Sequence, residues 1–167
     1  MIYEEVFKEF EKRKVKYLIV GGIAVNFYGY VRLTVDLDLM IDLSDENLSK
    51  IVDILEKLGY VPKVPVEPHE LISREKRDEW IQKKGAIVFT FIHPKNPFKL
   101  IDIFLVNPVN FEQAYSNKKV IQIKGINVNV ASIDDLIKMK SLCGRPRDIE
   151  DINHLKRIKQ LREKCED

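Results

Sequence analysis

Two aspartates interrupt an apolar run near the N-terminal end of the chain. Asp36 and Asp38 alternate with Val35, Leu37 and Leu39, and this alternation predicts a β-strand in which every second residue shares a face. The apolar residues then face the core, and the two carboxylates face the opposite way, about 7 Å apart at Cα. Because aspartate is rare in strands and neighbouring carboxylates repel each other, a cation or water must relieve this face.

Two explanations of the carboxylate face stay open. The alternation also places Met40 and Asp42 on it, so it extends along the whole predicted strand. A divalent metal would remove the repulsion, and Mg²⁺ is expected because it prefers hard oxygen ligands and is commonly shared between carboxylates and substrate phosphates. Alternatively, the face is the solvated outer side of an antiparallel strand, where aspartates at alternate positions need no metal.

A glycine pair, Gly21-Gly22, lies just upstream, between a predicted strand over Val15–Val20 and a predicted short helix over Ile23–Tyr30. Because glycine has no Cβ, a phosphate can approach the backbone closely, and the N-terminus of the following helix offers unpaired N–H groups. A tight strand-to-helix turn would need the same glycines without any ligand. The pair is neither a G-x-G-x-x-G nor a G-x-x-x-x-G-K-[ST] motif, so phosphate binding stays one of two interpretations.

A third aspartate interrupts the apolar run FKLIDIFLV. Asp102 lies in a predicted strand over Lys99–Val106 and shares a face with Leu100 and Phe104. If this strand pairs beside the strand of the first two aspartates, a cross-strand separation of about 5 Å completes a cluster of three carboxylates. Such a cluster can hold two metal ions, whereas a lone aspartate in a strand more often lies at a sheet edge or in an ion pair.

Composition limits the class of protein. The 167 residues are 45% hydrophobic, which is enough for one compact domain and too few for two comfortable ones. The net charge of +2 gives no general attraction to nucleic acid or membranes. The charged N-terminal segment lacks the apolar region of a signal peptide, and no run approaches the roughly 18 apolar residues of a membrane span. We therefore expect a cytoplasmic localisation and no membrane partner.

Periodicity along the chain predicts an α/β (α+β) fold, with a mixed sheet flanked by helices and a helical C-terminus. We expect one domain over residues 1–167, with an α/β core at 1–131 and C-terminal helices at 132–167. The predicted helices cover Glu4–Lys14, Ile23–Tyr30, Ser44–Leu58, Arg74–Lys84, Ser132–Leu142 and Ile149–Arg162. The predicted strands cover Val15–Val20, Leu33–Ile41, Ala86–Ile92, Lys99–Val106, Val120–Ile123 and Asn127–Ala131.

These motifs together resemble a known family. The glycine pair, the alternating aspartates and the later strand aspartate resemble the hG[GS]…Dh[DE]h…h[DE]h pattern of the DNA polymerase β nucleotidyltransferase superfamily. The stretch GGIAVNFYGYVRLTVDLDL resembles the R-x-T-x-D-x-D form found in minimal nucleotidyltransferases and in the abortive-infection type II toxin group. The stretch SIDDLIKMKSLCGRPRDIEDINHL is similar to the helical C-terminal signature of these proteins. The resemblance covers roughly Tyr17 to Leu155 and implies the polymerase β-like nucleotidyltransferase fold.

The resemblance implies a metal-dependent transfer of a nucleoside monophosphate from an NTP to an acceptor hydroxyl, with release of pyrophosphate. It implies that Asp36 and Asp38 bind Mg²⁺ or Mn²⁺, as two ions, and that Asp102 is the third metal ligand and helps to activate the acceptor. Gly21 and Gly22 match the triphosphate-binding turn. Many members carry serine where this chain has Gly22, so a hydroxyl contact to phosphate is lost while the backbone donors remain.

Basic side chains are expected near the triphosphate, because two metal ions leave part of its negative charge unbalanced. Arg32 lies two residues before Thr34 in the segment that enters the aspartate strand, and both are assigned to nucleotide binding. An exposed surface position is the alternative for Arg32. Lys140 matches a lysine that reaches the triphosphate in related proteins, so we assign it to nucleotide binding as well.

The segment after Lys140 is expected to have structural roles. Arg145 and Arg147 flank a proline and are interpreted as a solvated turn between two helices. Asp148 is expected to cap the last helix. Asp151 is expected to pair with Lys140 or a neighbouring cation.

Three functions remain open from the sequence. The first is an active nucleotidyltransferase whose acceptor is an RNA end such as that of tRNA, a protein side chain, or a small molecule such as an aminoglycoside. The second is a non-catalytic binding or regulatory module of a toxin–antitoxin pair, against which the intact aspartates argue. The third is a metal-dependent phosphodiesterase, which would share the carboxylates but would not need the glycine turn.

Overall fold

A seven-stranded mixed sheet forms the centre of the protein, and the computed structural model describes residues 2–166. Its strands lie in the order β3-β4-β5-β2-β1-β7-β6. The strands are β1 (Tyr17–Val20), β2 (Leu37–Ile41), β3 (Val61–Pro62), β4 (Val88–His93), β5 (Asn96–Phe104), β6 (Lys119–Ile123) and β7 (Ile126–Val130). The predicted α/β fold with a mixed sheet and a helical C-terminus is therefore confirmed.

Strand β2 lies in the middle of this sheet. It runs antiparallel to β1 and parallel to β5, and β5 pairs on its other side with β4 in an antiparallel hairpin. The register places Asp38 directly opposite Asp102. In the next strand, Thr90 lies directly opposite Asp102. Three polar side chains thus share one face across three neighbouring strands.

Helices connect and flank the strands. Serine side chains cap three of these helices, since Ser44, Ser73 and Ser132 each accept a hydrogen bond from a backbone N–H in the first turn. The helices are α1 (Glu4–Lys12), α2 (Gly21–Phe27), α3 (Asp45–Lys57), α4 (Arg74–Lys84), α5 (Phe111–Ser116), α6 (Ile133–Cys143) and α7 (Pro146–Glu166), and a 3₁₀ helix covers Pro68–Ile72.

The core encloses both faces of β2. Leu37 and Leu39 are fully buried on one face, as predicted, and Met40 is fully buried on the face that carries the aspartates. Met40 pairs with Leu18, which is fully buried too. This face is therefore buried at Met40, whereas Asp36 and Asp38 are partly exposed, and the question of whether the aspartates bind a metal stays open.

The C-terminal helices pack onto the core. Leu136 and Met139 of α6 and Leu155 of α7 belong to the same buried cluster as the sheet residues. In the part of the chain that the structure describes, no helix combines the length and apolar character needed to cross a bilayer. The division of the chain at residue 131 stays a prediction.

The structure corrects the predicted start of β2. The strand begins at Leu37 instead of Leu33, so Asp36 lies just before it. The segment before the strand has no strand partner among the described residues, and a side chain binds its backbone instead. The amide of Asn26 donates to the carbonyl oxygen of Arg32 and accepts its N–H, both at 3.0 Å. The prediction failed because periodicity cannot show where the neighbouring strand ends.

Three helices also differ from the prediction. Helix α2 begins at Gly21, two residues early, and α7 begins at Pro146 instead of Ile149, with the proline in the first helical position that it favours. Helix α5 was not predicted. It is short, and its signal is the Asn110 side chain, which accepts the N–H of Gln113 at 2.9 Å as an N-cap.

Candidate active site

Asp38 lies against the backbone of the glycine pair. The strand pairing of β1 with β2 brings Val20 opposite Asp38, so the start of α2 follows directly beside the carboxylate. A Cβ atom on Gly21 would lie 2.0 Å from Oδ2 of Asp38, and Gly21 adopts a φ of +66°. Only glycine tolerates both the conformation and the contact. The first glycine therefore makes room for a carboxylate.

The second glycine makes room for two other predicted site residues. A Cβ on Gly22 would lie 2.6 Å from Oγ1 of Thr34 and 2.9 Å from a terminal guanidinium nitrogen of Arg32. The segment before β2 thus folds back over the first turn of α2. The glycine pair is the point where the Asp38, Thr34 and Arg32 side chains converge.

Tyr3, near the N-terminus, fixes the backbone next to Asp36. The Tyr3 hydroxyl lies 2.7 Å from the carbonyl oxygen of Val35 and accepts the N–H of Leu100 at 3.1 Å. This one side chain therefore joins the segment before β2 to β5. The link holds Asp36 beside the strand that carries Asp102.

The electrostatics of the carboxylates follow from their burial and proximity. Burial raises the pKa of Asp38 to about 7, and the negative charges of Asp102 and Asp36 add to the effect. Burial also raises the pKa of Asp102, although the Thr90 hydroxyl, which donates to its Oδ1 at 2.5 Å, opposes the shift. The charged forms of both groups are thus unfavourable without a cation.

The cations of the site are fixed by a buried aspartate. Asp151 of α7 is completely buried and binds Arg32 in a bidentate pair, with both N–O distances at 2.9 Å. Nζ of Lys140 donates to the same carboxylate at 2.7 Å. The predicted pairing of Asp151 with Lys140 is therefore confirmed, and because Asp151 also binds Arg32, it joins α6, α7 and the segment before β2.

A second aspartate extends this network. Asp148 is buried, lies 3.6 Å from Nζ of Lys140 and accepts from Nε of Arg145 at 2.8 Å. It also accepts the backbone N–H of Arg145 at 3.2 Å, so it caps the last helix from within the first turn instead of from the predicted position before the helix. Although burial raises the pKa of Asp148, the hydrogen bond and charge of Arg145 outweigh it, so the pKa lies below its usual value.

One open cavity of about 420 Å³ brings the predicted site residues together. Three further residues that had been given only structural roles, Arg145, Arg147 and Asp148, also line it. Their position after Lys140 in a proline-containing turn was the available signal. The eight predicted residues that line the cavity are Gly21, Gly22, Arg32, Thr34, Asp36, Asp38, Asp102 and Lys140.

The donor set of this cavity fits a divalent metal such as Mg²⁺, because it offers carboxylate oxygens that lack a cationic partner. Among the described residues, Asp36 and Asp38 have no hydrogen bond to their side chains, and the mutual repulsion described above favours a bound cation. The carboxylates are not gathered around one point. Within residues 2–165, one set of three possible metal-ligand side chains has its ligand atoms within 4.8 Å of one another. This set is exposed and lies outside the cavity, at Asp53, Glu56 and His69.

The fold is similar to that of several solved nucleotidyltransferases. The lincosamide antibiotic adenylyltransferase LnuA, bound to lincomycin, is 18% identical with a TM-score of 0.59, over 92% of this chain and 93% of that one. ANT(2'')-Ia in complex with adenylyl-2''-tobramycin is 15% identical with a TM-score of 0.57, over 97% and 93%. An antigenic nucleotidyltransferase-like protein from Paracoccidioides brasiliensis is 18% identical with a TM-score of 0.55, over 90% and 71%. At these identities the similarity establishes the fold.

Sequence comparison identifies the family. No curated protein sequence gives a significant match to the chain. A family model described as "Nucleotidyltransferase of unknown function (DUF6036)" matches residues 1–163. This match covers nearly the whole sequence and agrees with the superfamily that the motifs resemble. The protein therefore belongs to this nucleotidyltransferase family and is an enzyme that transfers nucleotidyl groups.

Proposed function

We propose that the protein transfers a nucleoside monophosphate from an NTP to an acceptor hydroxyl in a reaction that requires a divalent metal. The observation that supports this most is the single cavity in which three carboxylates face a glycine pair and several fixed cations. A phosphodiesterase would need the carboxylates but not the glycine turn. A purely regulatory module would need neither.

The metal ligands in this proposal are Asp36, Asp38 and Asp102. Bound there, Mg²⁺ or Mn²⁺ would neutralise phosphate charge and lower the pKa of an attacking hydroxyl. Asp38 lies beside Gly21 and opposite Asp102, so a metal held by its carboxylate would lie near both. The glycine pair would then contact the β- and γ-phosphates of the NTP.

Arg32 and Lys140 hold the charged tail of the NTP in this proposal. Arg32 gives Nε and Nη2 to Asp151, and within the described residues its Nη1 remains without a partner. The Lys140 ammonium has three N–H donors, of which Asp151 accepts one. Because Asp151 fixes both side chains before the nucleotide arrives, little side-chain freedom would be lost on binding.

In this proposal Asp102 receives the proton of the acceptor. Its Oδ1 accepts the Thr90 hydroxyl, while Oδ2 has no hydrogen bond among the described residues. The acceptor oxygen would form a bond to the α-phosphorus, the bond from that phosphorus to the bridging oxygen would break, and pyrophosphate would leave. The hydroxyl proton would pass to Oδ2 of Asp102.

A small molecule with a free hydroxyl is the acceptor class that we favour. LnuA and ANT(2'')-Ia, which share this fold, carry lincomycin and adenylyl-2''-tobramycin in their structures. An RNA end, a protein side chain, and a toxin or antitoxin partner are the other acceptors or partners that the sequence resemblance implies. They become distinct outcomes of one labelling experiment.

The test incubates the purified protein with each α-³²P-labelled NTP, Mg²⁺ or Mn²⁺, and either total RNA, cell lysate or a panel of hydroxyl-bearing antibiotics. The expected result is label on one acceptor class, lost with EDTA and in the Asp38→Asn variant. Asp42→Asn is the matched control, because Asp42 directly follows the same strand and its side chain accepts the N–H of Ser44 outside the cavity.

Each outcome of this experiment is informative. Transfer that survives in Asp38→Asn would remove Asp38 from the site. If no acceptor takes label, binding of NTP and metal is measured next by thermal unfolding, where the two together should stabilise more than either alone. The absence of any such binding would contradict the proposed function.

A further inference from the structure

A second cavity adjoins the first on the side of the C-terminal helices. It holds about 90 Å³ and is lined by Val20, Phe104, Pro108, Leu136, Met139 and Cys143 in addition to residues of the first cavity. The shared residues are Gly21, Asp38, Lys140, Arg145 and Asp148. Asp38 therefore stands between two spaces of different chemistry.

The walls that the second cavity does not share with the first are apolar, apart from the Cys143 thiol. Phe104 lies two residues beyond Asp102 on the same face of β5, about 7 Å away at Cα. Met139 precedes Lys140 on α6, so the apolar wall and the ammonium belong to one helical turn. We name this space, lined by Val20, Phe104, Pro108, Leu136, Met139 and Cys143, the apolar chamber.

The two spaces match the two halves of one nucleotide. The first cavity offers carboxylates for metal ions and cations for phosphates, while the side chains that line only the second cavity are uncharged and mostly apolar and offer a flat ring a contact surface. The chamber, at about 90 Å³, is much smaller than the first cavity, at about 420 Å³, so the sugar and phosphates would stay in the first cavity. We infer that the apolar chamber receives the nucleobase of the NTP, an inference that rests on the proposed function.

The acceptor is the alternative occupant, and the position of Asp102 argues against it. The acceptor hydroxyl must approach the carboxylate that takes its proton. Asp102 lines the first cavity and not the apolar chamber, whereas Lys140 and Arg145 line both. The chamber thus adjoins the side chains that would bind the phosphates. The nucleoside of the donor NTP is attached to these phosphates, so it would lie on this side of the site.

The chemistry of the walls also bears on base preference. Discrimination between bases depends on hydrogen-bonding groups that face their edges. Beyond the Cys143 thiol, a weak donor, the hydrogen-bonding side chains of this cavity are those that it shares with the first, and Lys140 and Arg145 among them are already paired with Asp151 and Asp148. The enzyme should therefore bind ATP, GTP, CTP and UTP with affinities that lie within about tenfold of one another.

The test measures binding without any acceptor, so it does not depend on knowing the acceptor. Affinities of the four NTPs and of tripolyphosphate, which has no base, are measured by calorimetry with Mg²⁺ for the wild type and for Phe104→Ala. Removal of an apolar wall should weaken NTP binding by about tenfold and leave tripolyphosphate unchanged. Val88→Ala is the matched control, because Val88 lies opposite Phe104 in β4 and does not line the chamber.

The outcomes separate this inference from the proposed function. If wild type binds tripolyphosphate as tightly as every NTP, the base makes no contact and the inference is wrong while the proposed function stands. A loss of tripolyphosphate affinity in Phe104→Ala equal to that of the NTPs, or a preference of 100-fold for one base, would also overturn it. If neither NTPs nor tripolyphosphate bind to the wild type, the proposed function itself fails.

Discussion

The acidic and the basic sides of the candidate site are built in opposite ways. Asp36 and Asp38 stand close to another carboxylate and have no hydrogen-bonding partner among the described residues. Arg32 and Lys140 are both bound to the buried Asp151 at 2.7–2.9 Å. One side of the cavity is electrostatically unsatisfied, and the other is already neutralised.

This difference separates function from stability. When one partner of a buried ion pair is removed, the remaining charge is left uncompensated, and the fold becomes much less stable. Charged groups that lie near groups of the same charge destabilise the fold, and binding of a ligand of opposite charge relieves this repulsion. Substitutions on the basic side should therefore lower the free energy of unfolding. Substitutions on the acidic side should raise it in the ligand-free protein.

The largest effect is expected from Asp151→Asn. The substitution keeps the shape of the side chain but leaves two half-buried or buried cations, Arg32 and Lys140, without their counterion. We expect a loss of about 3–5 kcal/mol in the free energy of unfolding, measured by urea denaturation at pH 7. Glu163→Ala, an exposed position on the same helix, should change it by less than about 0.5 kcal/mol. Equal effects in the two variants would show that the network stabilises nothing.

Gly21→Ala is expected to have the next largest effect. The added Cβ would collide with Oδ2 of Asp38 in a backbone conformation that alanine disfavours, so we expect a loss of about 2–3 kcal/mol. Gly85→Ala is the matched control, since Gly85 has a φ of +60° and open space around the missing Cβ, and should cost about 1 kcal/mol. If Asp38→Ala added to Gly21→Ala does not reduce the loss, the collision is not its cause.

Asp38→Asn should have the opposite sign and a smaller size. The pKa of Asp38 is raised from 3.8 to about 7 in the folded protein, so the folded state retains a proton that the unfolded state releases between these pH values. The contribution of Asp38 to stability therefore falls as the pH rises from about 4 to 7. In EDTA at pH 8 the variant should be about 1–2 kcal/mol more stable than the wild type, a discounted value because the carboxylate is partly exposed.

The pH dependence provides the control for this prediction. Near pH 4 the carboxyl group is protonated in the folded protein, so the two proteins should have similar free energies of unfolding. A variant that is less stable than the wild type at pH 8 would mean that Asp38 makes favourable contacts in the ligand-free protein.

The acidic side of the site was more accessible to prediction than the basic side. An aspartate within an apolar strand reveals its face through a period of two residues, so Asp38 and Asp102 were expected to share a face if their strands pair, and the two strands do pair in that register. Their functional roles remain predictions. The roles of Arg32 and Lys140 rested on the family resemblance, because nothing in their local sequence indicates a buried partner.

Long-range packing explains what the sequence did not reveal. Asp151 contacts a residue 119 positions away, and this contact exists because α7 packs back against the segment before β2. Arg145 and Arg147 have the composition of a solvated turn, and both are exposed, yet that turn lies at the cavity. Local patterns identify the faces of helices and strands, but they do not say which distant faces meet.

The smallest effect is expected from an ion pair that joins the same two helices outside the site. Lys159 of α7 donates to Asp134 of α6 at 2.7 Å, the same distance as between Lys140 and Asp151. Both side chains are largely exposed, at 43% and 69%, so water and salt screen the pair. Lys159→Ala should therefore lower the melting temperature only slightly at low salt and not at all in 0.5 M salt, measured by calorimetry. A loss comparable to that of Asp151→Asn would mean that helix contact, and not burial, determines how strongly an ion pair stabilises this fold.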